Sequence, residues 1–287
     1  MGLRKSKKDV YKIITDKVIA AIEDREELIW QKSWNTSGIR PQNYISKKPY
    51  RGFNRIVTMM FPTPYFLTFN QVRSLNLNAK VTKGKSIPII YWNMSYKDDN
   101  NKDVSPELAT KSYGFLKYSN VWNSQDIEGI DFEMPETVVD RVNEPIKECQ
   151  KIINKNSPDL THGGDRAYYM PSADKIQMPE INRFKSSEHY YSTLFHELVH
   201  WTGNENRLKR DLKMGRFGDT VYSKEELVAE MGAAFLCDEV GIFNSQIETN
   251  SVAYIRGWLT ELKSNPRYLV KAGGDAQKAF DLIMGES

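Results

Sequence analysis

The chemically most specific spacing in the chain is the segment His196-Glu197-Leu198-Val199-His200, which combines two histidines with a glutamate. In a helix, positions i and i+4 lie on one face, so His196 and His200 would point two imidazoles at the same place. Zinc binds nitrogen, sulfur and carboxylate ligands, and a catalytic zinc site keeps one position open. Glu197 would lie beside that position, where a carboxylate can act as general base toward the attacking water. The segment predicts one Zn²⁺ per chain in a metallopeptidase-type site.

A third metal ligand is expected from the acidic positions Glu226 and Glu230, which would share one face of a downstream helix. In one interpretation Glu226 is the ligand and Glu230 orients a ligand histidine. In the other, Glu226 completes a capping box with Ser223, which leaves Glu230 as the ligand. The sequence leaves both interpretations open. It also leaves open the native metal, because such ligands accept Mn²⁺ and other divalent ions as well.

Two predicted helices would position these groups. Ser186 or Ser187 can cap the helix that carries the histidines, and Gly203 would end it. The second helix would open near Ser223 and reach about Val240. Small side chains would let this second helix approach the first one closely, and they occupy positions Ala229, Gly232, Ala233 and Ala234.

Two short strands are predicted before the histidine helix, at residues 167–170 and 175–178, around a turn at 171–174. An exposed edge strand beside a cleft can bind an extended peptide by strand addition, so either strand is a candidate substrate site. An ordinary core hairpin fits the same pattern. His162 is a candidate for polarising a substrate carbonyl, although a lone loop histidine is more often structural or solvated.

The charged residues are distributed unevenly along the chain. Residues 1–85 carry 17 Lys/Arg and 6 Asp/Glu, whereas residues 86–287 carry 23 and 31. A basic segment joined to an acidic one is typical of a polyanion-binding part fused to a part with a different task.

Single-stranded nucleic acid is typically bound by cations that follow the phosphates and by aromatic rings on which bases stack. The basic segment interleaves both residue types. An alternative is a small domain whose aromatic residues form the core and whose cations only face solvent. The candidate DNA-binding residues are Lys47, Lys48, Arg51, Arg55, Lys83, Lys85, Tyr50, Phe53 and Trp92.

The pattern of elements predicts an α+β fold with two domains, at residues 1–135 and 136–287. The first is a small α+β domain. Its predicted elements are helices over 7–29 and 69–76, the second capped by Thr68 and Gln71, and strand-like runs at 65–67, 87–92 and 112–122. A helix over 137–154 would open the second domain.

The composition places the chain among globular proteins, since 40% of its 287 residues are hydrophobic. It contains no apolar run long enough to span a bilayer and no secretory signal, which predicts a cytoplasmic protein without membrane association. Its two cysteines, Cys149 and Cys237, stand in apolar helical surroundings. Neither a disulfide nor a cysteine-bound metal is expected.

Longer motifs resemble the ArdC-type antirestriction proteins. In the first half these are Arg40-Pro41-Gln42-Asn43-Tyr44, Tyr50-Arg51-Gly52-Phe53-Asn54, Phe66-Leu67-Thr68-Phe69-Asn70-Gln71, Val81-Thr82-Lys83-Gly84-Lys85 and Val121-Trp122-Asn123-Ser124-Gln125. In the second half they are Ala167-Tyr168-Tyr169, Asp174-Lys175-Ile176-Gln177-Met178-Pro179, the histidine segment continued to Gly203, Arg207-Leu208 and Glu225-Glu226-Leu227-Val228-Ala229-Glu230. One departure is Asn204, which stands where relatives often have a histidine.

The resemblance implies a single-stranded-DNA-binding domain followed by a zincin-like metallopeptidase domain with an HExxH helix. Proteins of this family come from plasmids, phages and other mobile elements, and their proposed role is to shield incoming DNA from restriction. We therefore expect a zinc metallopeptidase that binds single-stranded DNA and cleaves an unidentified, DNA-bound protein. The alternative is a DNA-protecting protein whose metal site is structural or proteolytically inactive.

Overall fold

A computed structural model describes residues 9–25, 39–59, 61, 63–83, 86–133, 145–212, 220–242, 259–260 and 262–286. The fold is α+β, as predicted. Its helices are α1 (Val10–Arg25), α2 (Phe53–Met59), α3 (Phe69–Leu75), α4 (Lys147–Asn156), α5 (Ser187–Thr202), α6 (Thr220–Val240) and α7 (Tyr268–Met284). Its strands are β1 (Gln42–Asn43), β2 (Tyr65–Thr68), β3 (Lys80–Val81), β4 (Ile87–Lys97), β5 (Lys111–Asn123), β6 (Ile127–Glu128), β7 (Asp159–His162), β8 (Tyr168–Met170) and β9 (Lys175–Met178).

The first half contains a four-stranded sheet in the order β1-β2-β5-β4 and a two-stranded sheet of β3 and β6. Strands β4 and β5 form a long antiparallel hairpin that extends five residues beyond the predicted end of β4 at Trp92. The predicted capping box is confirmed: the side chain of Thr68 accepts from the backbone of Gln71, and the side chain of Gln71 accepts from the backbone of Thr68. The capping box fixes the start of α3 directly after β2.

The second half contains a three-stranded sheet in the order β7-β9-β8, which packs on α5. The predicted hairpin of β8 and β9 is confirmed. Because β9 pairs with β7 on one side and β8 on the other, it lies in the centre of the sheet. Residues 175–178 were one candidate for peptide binding by strand addition, and that prediction is therefore wrong, while β8 lies at an edge.

The two halves share one hydrophobic core in the described part of the chain. Helix α2 of the first half packs on α7 of the second. A Cβ at Gly273 would lie 2.9 Å from the backbone nitrogen of Phe53, so only glycine permits this approach. Helix α1 also reaches the second half, where the hydroxyl of Thr15 donates to the carbonyl of Pro266 at 2.8 Å.

The expected domain boundary near residue 135 falls in the stretch 134–144, outside the described residues, as do the predicted ends of the first helix. Helix α4 begins at Lys147, ten residues after the expected position. Cys149 and Cys237 are buried and form no disulfide. No described helix combines the length and the apolar character needed to cross a bilayer.

Candidate metal centre

Helix α5 carries both histidines of the predicted metal site into the protein interior. It begins as predicted, because the hydroxyl of Ser186 accepts a hydrogen bond from the backbone of His189, and Gly203 caps its end. His196 and Glu197 are only 7% and 8% exposed. Buried polar side chains need partners, so the neighbouring elements must supply them.

Helix α6 supplies the acidic groups and lies unusually close to α5. The predicted role of small residues is confirmed at Gly232, where a Cβ would lie 2.7 Å from a methyl group of Val199. The helix begins at Thr220, so Ser223 lies inside it rather than at its N-cap. The capping-box interpretation of Glu226 is therefore wrong, which leaves this carboxylate available for the metal.

Three donor groups converge between the helices: the Nε2 atoms of His196 and His200 and the carboxylate of Glu226. The two nitrogens lie 3.1 Å apart, and each lies 3.4 Å from an oxygen of Glu226. Ligands about 2.0–2.1 Å from a shared tetrahedral zinc ion would be about 3.4 Å from one another. The donor types and their separations therefore fit a divalent metal ion. Among the described residues, no other group of histidine, cysteine and acidic side chains forms such a cluster.

Glu230, the alternative ligand, is also buried on α6, but its carboxylate is not part of this cluster. In the absence of metal, burial lowers the pKa of His200, but hydrogen bonds to Glu225 and Glu226 outweigh that effect and raise it well above its usual value. Burial opposes ionisation of Glu226, yet the two histidines hold the pKa of its carboxyl well below the usual range. The carboxylates around His200 therefore favour positive charge at this point.

The residue that orients His200 is Glu225, a role that sequence reasoning did not assign. One oxygen of Glu225 lies 3.2 Å from Nδ1 of His200, on the ring edge opposite the cluster. Arg210 binds both oxygens of Glu225, at 2.9 and 2.8 Å, and also donates to Thr202 and to the carbonyl of Val199. A carboxylate behind a ligand imidazole fixes its tautomer and orientation. The only sequence signal for this role was that Glu225 is an acidic residue directly before Glu226.

Glu197 is buried on α5, directly after His196 and three residues before His200, the two candidate ligands. Burial and Glu226 have the larger effects on the pKa values of His196 and His200. The charge of Glu197 has a smaller effect, which raises both pKa values. The carboxylate therefore lies within electrostatic reach of the cluster, where a general base would act.

Two other polar residues near the sheet have structural partners. His162 lies on strand β7, and its Nε2 lies 2.8 Å from the hydroxyl of Tyr190, which favours the structural interpretation of this histidine. Asn204 donates to the hydroxyl of Tyr169 at 3.0 Å. Its amide therefore connects the end of α5 to strand β8.

Several candidate DNA-binding residues lie inside the protein or at the junction of the halves. Phe53 and Arg55 are 3% and 1% exposed, so their prediction as DNA contacts is wrong. Tyr50 packs edge-on against Phe66, and burial raises its pKa to about 12. Arg51 is half exposed but forms an ion pair with Asp281 of α7 at 2.6 Å. Charge and aromatic content alone could not separate these residues from surface ones.

The remaining candidates lie at the surface of the first half. Lys48 and Lys83 are exposed, and Nζ of the exposed Lys47 lies 4.0 Å from the ring centroid of Tyr44. Trp92, on the long hairpin, is 65% exposed. Lys85 falls outside the described residues.

The architecture matches a solved relative along its whole length. The metal-free crystal structure of the antirestriction ArdC protein from the R388 plasmid aligns with a TM-score of 0.76 and 30% sequence identity, over 97% of each chain. The chain belongs to the ArdC antirestriction family. The Mn(II)-bound structure of the same ArdC protein aligns with a TM-score of 0.74 and 30% identity, over 97% of this chain and 98% of that one.

Two domain models divide the ArdC-family chain. Residues 8–122 match the N-terminal domain of anti-restriction factor ArdC, and residues 147–275 match a zincin-like metallopeptidase domain. A DNA primase TraC of Escherichia coli is 31% identical over 97% of this chain, and protein y4eC of Sinorhizobium fredii is 29% identical over 95% of it. The chain spans 20% of the length of that primase and 91% of y4eC. The zincin-like match and the donor geometry together indicate a divalent metal.

Proposed function

We propose that this chain is a single-stranded-DNA-binding antirestriction protein of a mobile element, with a zinc metallopeptidase site in its second half. The observation that carries the enzymatic part is the convergence of His196, His200 and Glu226 around one point, with the buried carboxylate of Glu197 beside them. A purely structural zinc site is closed and needs no such base. One Zn²⁺ per chain fits this ligand set, and Mn²⁺ is the alternative that the R388 relative suggests.

A zinc ion held by these residues would polarise the scissile carbonyl and ease deprotonation of water. The carboxylate of Glu197 accepts that proton and later donates it to the leaving amine. The position of strand β8 is consistent with a peptide substrate, because this strand lies at the edge of its sheet and packs on α5. An extended peptide can add to such an edge by main-chain hydrogen bonds.

Single-stranded DNA would bind to exposed aromatic rings and cations of the first half. The ring of Trp92 lies close to Gly114 on the long hairpin, and most of the residue is exposed to solvent. A second aromatic surface lies near Lys83. There, the half-exposed Phe69 faces Trp122, whose indole donates to the carbonyl of Thr82 at 3.2 Å.

The two activities would act together on proteins bound to the incoming strand. The elements that carry the two sites pack on one hydrophobic core, so DNA bound by the first half would bring the metal centre to proteins on the same strand. The protein substrate is therefore expected to be DNA-bound. The relatives named for antirestriction and for DNA priming fit a role on transferred DNA.

The deciding experiment compares the wild-type chain with Glu197→Gln. This variant should bind the metal and fold normally, yet lose cleavage of proteins bound to single-stranded DNA and lose protection of unmodified plasmid DNA in a restricting host. If protection persists at the wild-type level while the metal stays bound, the chain protects DNA without proteolysis.

The DNA part is tested separately with a fluorescent oligothymidylate. Trp92→Ala should weaken binding by about 1–3 kcal/mol, the usual contribution of one stacked base. Leu108→Ala is the control, because Leu108 is an exposed apolar residue of the same half without an aromatic ring. If the two variants bind the oligothymidylate with equal affinity, Trp92 does not contact the DNA.

A further inference from the structure

A cavity of about 640 Å³ lies behind the metal centre, on the side of His200 that faces away from the metal ligands. Three segments line it: the stretch after α5, the first turns of α6, and the start of α7. Its volume falls in the range of small-molecule sites, about 300–1,000 Å³. Five cationic residues and one glutamate of the lining carry the argument: Lys209, Arg210, Lys224, Arg267, Lys271 and Glu225.

Four of the cations in this wall are available to a ligand. Lys209, Lys224, Arg267 and Lys271 are exposed, and in the described part of the chain none of them forms an ion pair with a carboxylate. Two of them contact aromatic rings: Lys224 lies over Tyr268, which also lines the cavity, and Arg267 lies over Tyr11 of α1.

The acidic side chains in the same wall do not neutralise these cations. Glu225 is bound by Arg210 and faces His200, and Asp275 pairs with Lys278 at 2.9 Å. Asp211 has a partner of its own. The free charge in the cavity is therefore positive.

The backbone holds one of these cations in an unusual conformation. Lys209 has a φ of 53°, in the left-handed region that non-glycine residues rarely adopt. Its N–H donates to the carbonyl of Asn204 at 3.1 Å, which fixes the turn after α5. Such conformations persist where the surroundings determine them and often occur at binding sites.

We propose that this cavity binds a phosphate-bearing ligand of about nucleotide size. Four cations from three segments suit a multiply charged group better than a single carboxylate, and the remaining volume can hold a sugar and a base. The shared chemistry is the phosphate, which a free nucleotide or a DNA strand can supply. Because Glu225 and Arg210 belong both to this wall and to the support of His200, the ligand would lie against the back of the metal centre. The proposal requires neither proteolysis nor DNA binding by the first half.

The test uses all 287 residues of the chain, treated with a chelator so that phosphate cannot coordinate a metal ion. Binding of pyrophosphate, thymidine monophosphate and an oligothymidylate is measured by calorimetry. The double variant Lys224→Gln, Lys271→Gln removes two cations of the cavity. The control is the double variant Lys147→Gln, Lys151→Gln, which removes two exposed lysines of α4.

We expect the cavity variant to bind at least one probe about 10-fold more weakly than wild type, with a smaller salt dependence, while the control is unchanged. A loss confined to pyrophosphate and the mononucleotide identifies a small ligand, and a loss confined to the oligothymidylate identifies a DNA strand. If wild type binds none of the probes, or if the cavity variant and the control bind all of them like wild type, the proposal is wrong.

Discussion

Arg55 of the first half donates to Asp238 of α6 at 2.8 Å, and both side chains are buried. Arg55 also donates to the carbonyl of Phe235 and lies over the ring of Phe280. Asp238 stands twelve residues beyond Glu226, about 18 Å along the same helix. Helix α6, which carries the candidate ligand Glu226, is thus bound near its C-terminal end by Arg55 of the first half.

Removing one partner of this pair should destabilise the whole chain. Arg55→Met leaves Asp238 buried without its partner, and such losses cost about 3–5 kcal/mol. Denaturant unfolding measures this, with the exposed Arg73→Met as control. The double variant Arg55→Met, Asp238→Leu should regain part of the loss. If the Arg55→Met chain is as stable as the Arg73→Met chain, the buried ion pair of Arg55 and Asp238 does not stabilise the fold.

Glu226 and Glu230 should differ in their effect on metal binding. Glu226→Gln removes a charged donor of the cluster, so we expect the affinity for Zn²⁺ or Mn²⁺ to fall by more than about 100-fold, beyond the usual effect of outer hydrogen-bond partners. Glu230→Gln should retain most of the affinity. Metal titration of the chelator-treated chain compares the two, and the reverse order would make Glu230 the ligand.

Glu225 should act on the metal through His200. Glu225→Gln keeps the size of the side chain but removes the charge that faces Nδ1, so we expect metal affinity to fall by about 10–100-fold. Thermal unfolding of the metal-free chain serves as the control measurement. If metal affinity falls only in parallel with stability, Glu225 has no orienting role.

The close approach of α5 and α6 depends on Gly232. In Gly232→Ala the new methyl group would overlap Val199, and overpacking of this kind costs about 1–3 kcal/mol. Gly274→Ala on α7 is the matched control, because no atom lies within 4 Å of its new methyl group. The control should be neutral or more stable, since alanine favours helices. Equal unfolding free energies would show that the helices can move apart freely.

The ion pair between Arg40 and Glu286 should make stability depend on pH. Hydrogen bonds from Arg40 lower the pKa of Glu286 below its usual 4.5. The pair therefore stabilises the fold fully above pH 4.5, and the stabilisation disappears as pH falls through the lowered value. Glu286→Gln should lose stability at neutral pH and approach wild type in acid. A difference from wild type that is constant with pH would exclude this linkage.

The local elements were predictable from the sequence because short-range signals define them. The capping box at Thr68, the cap at Ser186 and the turn between β8 and β9 each depend on residues a few positions apart. The histidine segment was predictable for the same reason.

Long-range partners were not predictable. Arg210 reaches Glu225 across the end of α5, and Arg55 reaches Asp238 from 183 positions away. A basic residue that faces solvent and one that pairs in the core have the same sequence signature, which explains the error at Arg55. Helix α2 was missed because it is only seven residues long and buried on nearly every side.

The ion pair of Arg55 and Asp238 also limits how the coding sequences of the two halves can be separated and recombined. The zincin-like half transferred alone would expose the surface of α7 that packs on α2 and leave Asp238 without its partner Arg55. The ArdC N-terminal half alone would leave Arg55 buried without its partner carboxylate. The two halves should therefore be inherited together, as a cassette, and the TraC primase, which matches 97% of this chain within 20% of its own length, fits that expectation.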